Sequence, residues 1–327
     1  MGDPILVTGG AGYIGSHTCK ALARAGYLPV TYDNLSTGHT YAVKWGPFIQ
    51  GDIEDKRKLS EAFASFRPKA VLHFAGSALV IESMHRPADY YRNNVSATLS
   101  LLEVMREHHV RFLLFSSTCA TYGHPQFTPI TEEHPQIPVS PYGRTKWIAE
   151  QMMSDFKAAY GLQTMFLRYF NAAGADLETE IGEHHIPETH LIPSIIETAL
   201  EKRDEIVVYG SDFPTRDGSA IRDYVHVQDL ADAHLLALEY LLQNEVGGAI
   251  NLGTGTGLSV FEILDAIQNF SAKTLPVRIE QRRLSEPSAL TADYRKAYEL
   301  LGWKPVHSQL STLIESAWKW HQGLLNR

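Results

Sequence analysis

The stretch Gly9-Gly10-Ala11-Gly12-Tyr13-Ile14-Gly15 constrains this chain more than any other, because of what flanks it. An apolar run, Ile5-Leu6-Val7, leads in, and a helical pattern starting near Ser16 leads out. A strand feeding a glycine turn and then a helix is the setting in which such glycines mean a dinucleotide site rather than a generic bend. Two glycines let the backbone turn and approach a pyrophosphate, and the third lets helix pack on strand. The helix's free amides and positive end then face the phosphates. The next apolar run, Leu28-Pro29-Val30-Thr31-Tyr32, ends at Asp33, where a carboxylate is expected to hold a ribose 2′-hydroxyl. That acid would repel a 2′-phosphate, so the pattern predicts NAD rather than NADP.

The rest of the first half extends this reading into a sheet. Apolar runs at Ile5 to Thr8, Leu28 to Tyr32, Ala70 to Phe74, Phe112 to Ser116 and Thr164 to Tyr169 alternate with helical patterns at Ser16 to Ala25, Asp55 to Phe66, Asn94 to Glu107 and Tyr142 to Tyr160. The runs are apolar at successive positions, as expected of parallel strands covered on both faces. The predicted class is therefore α/β, a Rossmann-like doubly wound parallel sheet. After Asn171 a polar excursion, with Gly174, Gly182, Pro187, His184, His185 and His190, interrupts the pattern, and Asp223 onward returns to it. This divides the chain into a nucleotide-binding domain of residues 1–171 plus 223–254 and a smaller α/β substrate domain of 172–222 plus 255–327. A second glycine cluster, Asn251-Leu252-Gly253-Thr254-Gly255, has no acid at the cofactor distance and is expected to open a helix near Ser259.

Two local readings of Asp52 stand side by side: an acceptor for an adenine amino group, or a cap for the helix near Asp55. One of Asn93 and Asn94 is expected to cap the helical run that follows them.

The second informative stretch is Ser140-Pro141-Tyr142-Gly143-Arg144-Thr145-Lys146. Serine at the N-cap and proline at the first helical position start a helix here. Tyr142 and Lys146 then share one face at i and i+4. An ammonium beside a phenol favours phenolate, which predicts a lowered pKa and a general acid/base. The hydroxyls Ser116, Ser117 and Thr118 leave the end of a predicted strand, where Thr118 either shares the reacting proton or caps the strand end. Arg222 and Arg283 are the cations best suited to an anionic substrate, since a guanidinium fork matches a diphosphate.

Composition excludes several alternatives. A net charge of −8 gives no footprint for nucleic acid. Two cysteines, Cys19 and Cys119, make neither a disulfide scaffold nor a cysteine zinc site, and fit a reducing, cytoplasmic setting. No apolar run is long enough to span a membrane and no secretory leader is visible. His108-His109 and the His184, His185, His190 group lack a cysteine partner or an i, i+4 pair, so no metal is expected. Neither a nucleophile elbow nor a lysine-bearing phosphate loop occurs.

With these residues in hand, the sequence resembles the extended short-chain dehydrogenase/reductase superfamily, and within it the UDP-sugar 4-epimerases. The similarity spans essentially the whole chain. It is carried by Gly9 through His17, Tyr32-Asp33-Asn34-Leu35, His73-Phe74-Ala75-Gly76, Tyr142 through Lys146, Arg168-Tyr169-Phe170-Asn171 and Gly218 through Val227. The resemblance implies interconversion of UDP-glucose and UDP-galactose through a 4-keto sugar on tightly held NAD, with Tyr142, Lys146 and Thr118 catalytic. It implies cofactor contacts at Gly9, Gly12, Tyr13, Ile14, Gly15, Asp33, Asn34, Asp52, Ile53, Phe74, Ala75, Asn93, Ser116 and Tyr169, besides Tyr142 and Lys146. Nucleotide-sugar contacts are implied at Thr118, Tyr142, Asn171, His190, Leu191, Tyr209, Arg222, Tyr224, Arg283, Glu286 and Leu290. A homodimer is implied too, built on the helices carrying Leu99, Leu102, Ile148, Met152 and Phe156.

The chain departs from the pattern of its relatives at four places. Ala78 replaces a lysine common near the cofactor, and His190 an asparagine beside the sugar. Arg283-Leu284-Ser285-Glu286 replaces an Arg-x-Gly-Asp stretch, and Leu290 a residue that screens the sugar's substituents. A leucine there, smaller than tyrosine, would open the site to UDP-GlcNAc and UDP-GalNAc; a UDP-pentose such as UDP-xylose or UDP-arabinose is the other alternative. Cys119-Ala120 stand where dehydrating relatives carry Asp-Glu, which favours simple epimerisation. A scaffold that binds NAD without turnover is the reading from a different class.

Overall fold

The computed structural model describes residues 2–283 and 286–324. Its main sheet uses β1 (Pro4–Thr8), β2 (Leu28–Asp33), β3 (Phe48–Gln50), β4 (Ala70–His73), β5 (Phe112–Thr118) and β6 (Gln163–Tyr169). Further along come β7 (Asn171–Ala173), β8 (Ile206–Tyr209), β9 (Ile221–His226), β10 (Gly248–Leu252), β11 (Gly257–Ser259), β12 (Val277–Glu280) and β13 (Ala289–Leu290). The large sheet runs β10-β6-β5-β4-β1-β2-β3, and all its pairings are parallel. Strand order reverses between β1 and β4, which opens a crevice at their carboxyl ends, the place where a doubly wound sheet receives a ligand.

Successive strand residues point to opposite faces, and each face has its own core. Leu6, Val30, Leu113 and Phe115 pack under the helices Lys56–Phe66, Ala97–Glu107 and Pro141–Tyr160. Ile5, Val7, Leu72 and Leu114 pack against the helices Tyr13–Arg24 and Val227–Asn244. Ala297 and Trp303 belong to this second layer, so part of the 255–327 segment packs on the large sheet. A separate core of Ile192, Ile195, Val208, Tyr224, Ile263 and Leu313 holds the smaller lobe together. Its small sheet orders β11-β9-β13 with β7 also on β9, and β12 pairs β8 apart from it.

Three expectations need correction. Neither Asn93 nor Asn94 caps a helix: Pro87 already opens the helix Pro87–Tyr91, and a π-helical turn, Arg92–Ser96, carries it into Ala97–Glu107. The extra residue in that turn re-aims its side chains, a common use of such turns. The helix near residue 55 is capped by Asp55, whose carboxylate accepts the Lys58 amide, and not by Asp52. Asn251-Leu252 closes β10, whereas the helix Val260–Ser271 is opened by Ser259 in a reciprocal capping box with Glu262.

Candidate active site

The glycine turn joins β1 to the helix Tyr13–Arg24 at the crevice. Gly9 adopts a left-handed φ of +74°, and a Cβ on it would lie 2.5 Å from the Ala75 amide nitrogen. A Cβ on Gly15 would lie 2.2 Å from the Gly9 carbonyl oxygen, so the close fit of helix to strand needs glycine there. Gly12 occupies the N-cap with no side chain to satisfy the first-turn amides. That leaves an anion cradle of the kind a pyrophosphate fills. Phe74 and Ala75 leave β4 on the other side of the crevice, and both amides donate to the Thr8 carbonyl.

At the end of β2, Asp33 accepts the amides of Ala11 at 3.0 Å and Leu35 at 2.8 Å, which orients its carboxylate beside the glycine turn. Burial pushes its pKa up while those amides oppose the shift. The Asn34 amide donates to Asp52 at 2.9 Å, and Ile53 is buried behind them. Asn93 donates to Ser77 at 2.9 Å, and Asn94 binds both backbone groups of Ser77 and the Thr145 hydroxyl. The π turn thus ties the loop after β4 to the helix Pro141–Tyr160.

That helix begins as its sequence dictates: Ser140 accepts the Gly143 amide and Pro141 takes the first turn. Tyr142 and Lys146 are both buried. The Lys146 ammonium donates to the Ser116 carbonyl at 2.9 Å and lies 4.8 Å from the Phe115 ring centroid, so it faces the end of β5. Thr118 accepts the Ala120 amide at 3.1 Å, so it caps the strand end, and its hydroxyl is also one of the groups that act on the Tyr142 phenol. The Ser116 and Tyr169 hydroxyls bond each other beside them.

The electrostatics correct the expected sign for Tyr142. Its phenol is pushed up rather than down, first by burial and then by the neighbouring Tyr169, and Thr118 only partly opposes this. Burial also lowers Lys146, to about 8, against the pull of Glu150. In the protein alone the low dielectric acts on both groups toward neutrality, and the i, i+4 spacing does not outweigh it.

Four of the residues expected on the substrate side lie on the small sheet. Register pairs Asn171 with Tyr224 and Leu290 with Arg222, which puts all four on the strands β7, β9 and β13. Leu290 also packs with Cys119, Tyr122 and Phe170, and this joins the small sheet to the end of β5. Arg222 donates to Glu286 at 2.9 Å. The Arg283 guanidinium lies 3.8 Å from the Tyr209 ring centroid, along a groove that Gly210 and Glu286 help to line. Leu284 and Ser285, inside the altered Arg283 to Glu286 stretch, lie outside the described residues. His190 and Leu191 open the helix Leu191–Ala199.

Several contacts that support the site escape a reading of the sequence, although Tyr13 and Asp223 themselves stand in stretches singled out above. Glu150 is buried one turn beyond Lys146 and takes the Arg168 guanidinium with bonds of 2.9 and 2.6 Å, and the Ser117 hydroxyl at 2.5 Å. Asp223, also buried, accepts the amides of Thr254, Gly255 and Ala292 and so fixes β9 against the loop after β10. The Tyr13 hydroxyl donates to the Gly174 carbonyl at 2.6 Å, bridging the glycine turn to the smaller lobe. Of these contacts only that of Glu150 leaves a signal, an acid four residues after Lys146.

The NAD dependent epimerase/dehydratase family model matches residues 5–253. A UDP-glucose 4-epimerase of Rhizobium meliloti is 51% identical over 317 residues, covering 97% of this chain and 96% of that protein. The crystal structure of UDP-glucose 4-epimerase from Brucella ovis in complex with NAD superposes with a TM-score of 0.95 at 52% identity, over 97% of this chain and 98% of that one. The UDP-Glc/GlcNAc 4-epimerase of Campylobacter jejuni follows at TM-score 0.85 and 37% identity, over 98% and 100% of the two chains. A glycine turn at the sheet's crevice, a buried tyrosine and lysine beside it and likeness along nearly the whole length agree: the chain belongs to the NAD dependent epimerase/dehydratase family.

Proposed function

We propose that the protein is an NAD-dependent UDP-glucose 4-epimerase that interconverts UDP-glucose and UDP-galactose. The observation that carries this reading is the convergence of Tyr142, Lys146 and Thr118 on the crevice below the glycine turn. Residues 1–171 with 223–254 would hold the cofactor, and 172–222 with the remainder the nucleotide sugar, apart from the part of the C-terminal segment that packs on the large sheet.

The cradle fits the cofactor, since the first-turn amides after Gly12 have no side-chain cap and glycine at 9 and 15 lets the turn close against the Ala75 backbone and the helix against the turn. NAD, when bound, supplies a reversible acceptor for the hydride at the sugar's C4. The chain's own residues move the accompanying proton. Tyr142 as phenolate takes it from the 4-hydroxyl and later returns it, with the Thr118 hydroxyl beside the phenol sharing the proton. Lys146, anchored on the Ser116 carbonyl, stabilises the negative phenolate and binds the nicotinamide ribose. Asp33 accepts from the adenosine ribose, with Asn34, Asp52 and Ile53 around the base. Arg222 and Arg283 neutralise the diphosphate, and Tyr209 and Glu286 flank the nucleoside. Asn171, His190, Leu191, Tyr224 and Leu290 surround the sugar, which must turn over and so is held less tightly than its nucleotide.

Purified protein given UDP-galactose without added NAD should form UDP-glucose and show bound-nucleotide absorbance. Bound nucleotide without conversion would favour the scaffold reading instead. A second substrate is supported by Leu290, a compact side chain packed next to Cys119 at the end of β5. Turnover of UDP-GlcNAc would be expected on that ground, and none would end the idea.

The assembly we propose is a homodimer. Leu99 is 39% exposed on the helix Ala97–Glu107, and Val80, Ile81 and Met84 are exposed on the helix Val80–His85, whereas Leu102 is buried in the chain's own core with Met152 and Phe156 packed against it. Sedimentation at twice the chain mass is expected, and a monomer would refute it. Among the described residues no helix is long and apolar enough to cross a membrane, and both cysteines are buried thiols. A cytoplasmic setting fits them.

A further inference from the structure

The loop leading into the helix Leu191–Ala199 carries four side chains that the proposed chemistry does not explain as a group. Glu183, His185, Glu188 and His190 each offer one ligand-type atom, and these atoms all lie within 4.8 Å of one another. His190 Nδ1 lies 2.8 Å from Glu183 Oε1 and 3.1 Å from Glu188 Oε1. His185 Nδ1 lies 3.3 Å from Glu183 Oε1 and 3.6 Å from Glu188 Oε2. Both carboxylates are buried, with side chains 5% and 2% exposed.

Hydrogen bonding does not satisfy this group. Glu188 Oε1 already accepts the amides of Thr189 and His190, and it shares the His190 Nδ1 proton with Glu183. His185 Nδ1 and Glu188 Oε2 are both fully buried and have no hydrogen-bond partner. Orphaned buried polar atoms of this kind are costly unless something between them accepts both.

We propose that these four side chains form a closed divalent-cation site, best suited to Zn²⁺, with His185 Nδ1, His190 Nδ1 and one oxygen each of Glu183 and Glu188 as ligands. A tetrahedron with bonds of about 2.0 Å has edges of about 3.3 Å; with the unpartnered Oε2 as the Glu188 ligand atom, the distances 2.8, 3.3 and 3.6 Å are edges of that figure and straddle the value. Two imidazoles and two carboxylates match a borderline cation, and two negative charges balance a dication. The sequence pattern hides the site because its partners are acids rather than cysteines. Four protein ligands leave no open coordination position, so the site is structural rather than catalytic. It would fix the entry of the helix Leu191–Ala199, whose N-cap is His190. Metal on His190 Nδ1 would also commit the remaining ring proton to Nε2, making that nitrogen a donor.

The test uses untagged, nucleotide-loaded protein, stripped with a chelator, dialysed and titrated with Zn²⁺, with bound metal counted by mass spectrometry. Stoichiometric binding is expected. It should weaken by at least about 100-fold in H185A and in E188Q, since loss of even an outer partner costs up to that much. H109A, an exposed histidine far from the cluster, should bind as the parent does. Co²⁺ on the parent protein needs no variant and should give the intense visible bands of tetrahedral coordination. Absence of stoichiometric metal, binding unchanged in H185A and E188Q, or weak octahedral Co²⁺ bands would each overturn the assignment and leave the group as ion pairs.

Discussion

Replacing Glu150 by glutamine should reveal how the helix Pro141–Tyr160 is held against β5 and β6. Glu150 and Arg168 are 1% and 5% exposed and meet in a fork, with Ser117 and Gln136 donating to the same carboxylate. Glutamine keeps the shape but leaves a buried guanidinium without its counter-charge, and breaking such a pair from one side costs about 3–5 kcal/mol. For 327 residues an unfolding entropy of about 2.1 cal/mol/K per residue gives roughly 0.7 kcal/mol/K. The melting temperature should therefore fall by about 4–7 °C. A purely structural pair would do no more. Glu150 also raises the pKa of Lys146, which burial has lowered to about 8. Losing that charge moves the lysine lower still, so the alkaline limb of kcat/KM should shift toward acid in E150Q. Calorimetry and a pH–rate profile read the two effects separately. A melting temperature within a degree of the parent, with an unmoved limb, would refute the coupling of helix, strand and lysine.

Three further changes follow from the same site. Y142F should lower kcat by about 10²- to 10⁴-fold, the usual worth of a positioned acid/base, while nucleotide absorbance of the purified protein stays at the parent level; full activity would remove Tyr142 from the chemistry. G15A places a Cβ 2.2 Å from the Gly9 carbonyl and should cost about 1–3 kcal/mol and release nucleotide on gel filtration, and retention at parental occupancy would count against the cradle. K146M should stabilise the nucleotide-free fold at pH 7. The lysine's pKa falls from 10.5 in the unfolded chain to about 8 in the fold, so burying its ammonium costs up to about 3 kcal/mol at 1.4 kcal/mol per unit. That cost is full below pH 8 and vanishes by pH 10.5, where the unfolded chain no longer binds the extra proton. Urea unfolding at the two pH values measures it, and a gap that widens with pH would reverse the sign.

What can be read from the sequence is local. The glycine turn, Asp33 at the end of the next strand and the Ser140-Pro141 helix start each depend on residues a few positions apart, where spacing fixes geometry. The Tyr142 and Lys146 pair shares that property. What cannot be read depends on partners brought together by the fold. Arg168 meets Glu150 across strand and helix, and Asp223 finds amides in a loop about thirty residues on. The asparagines at 93 and 94 look like caps only if the helix is assumed to begin there, and Pro87 has already begun it. The sign of the Tyr142 shift is not legible in the chain, because a sequence shows neighbours but not burial, and burial is the larger effect.

A buried, raised phenol changes how the site must work. To titrate near neutrality, a phenol with a pKa above 10 must be stabilised as its anion by at least about 4 kcal/mol. Lys146 cannot supply this by itself, because burial also disfavours its charge and its ammonium is already directed at the Ser116 carbonyl. Thr118 acts on the phenol in the lowering direction, but burial has already outweighed it. The remainder has to arrive with a ligand, and a permanent cation placed in the same low-dielectric crevice acts on the phenol in the useful direction. On the proposed function, the raised Tyr142 phenol would act as a base only with the oxidised cofactor's positive charge beside it, which would couple the proton step to the hydride acceptor it must accompany.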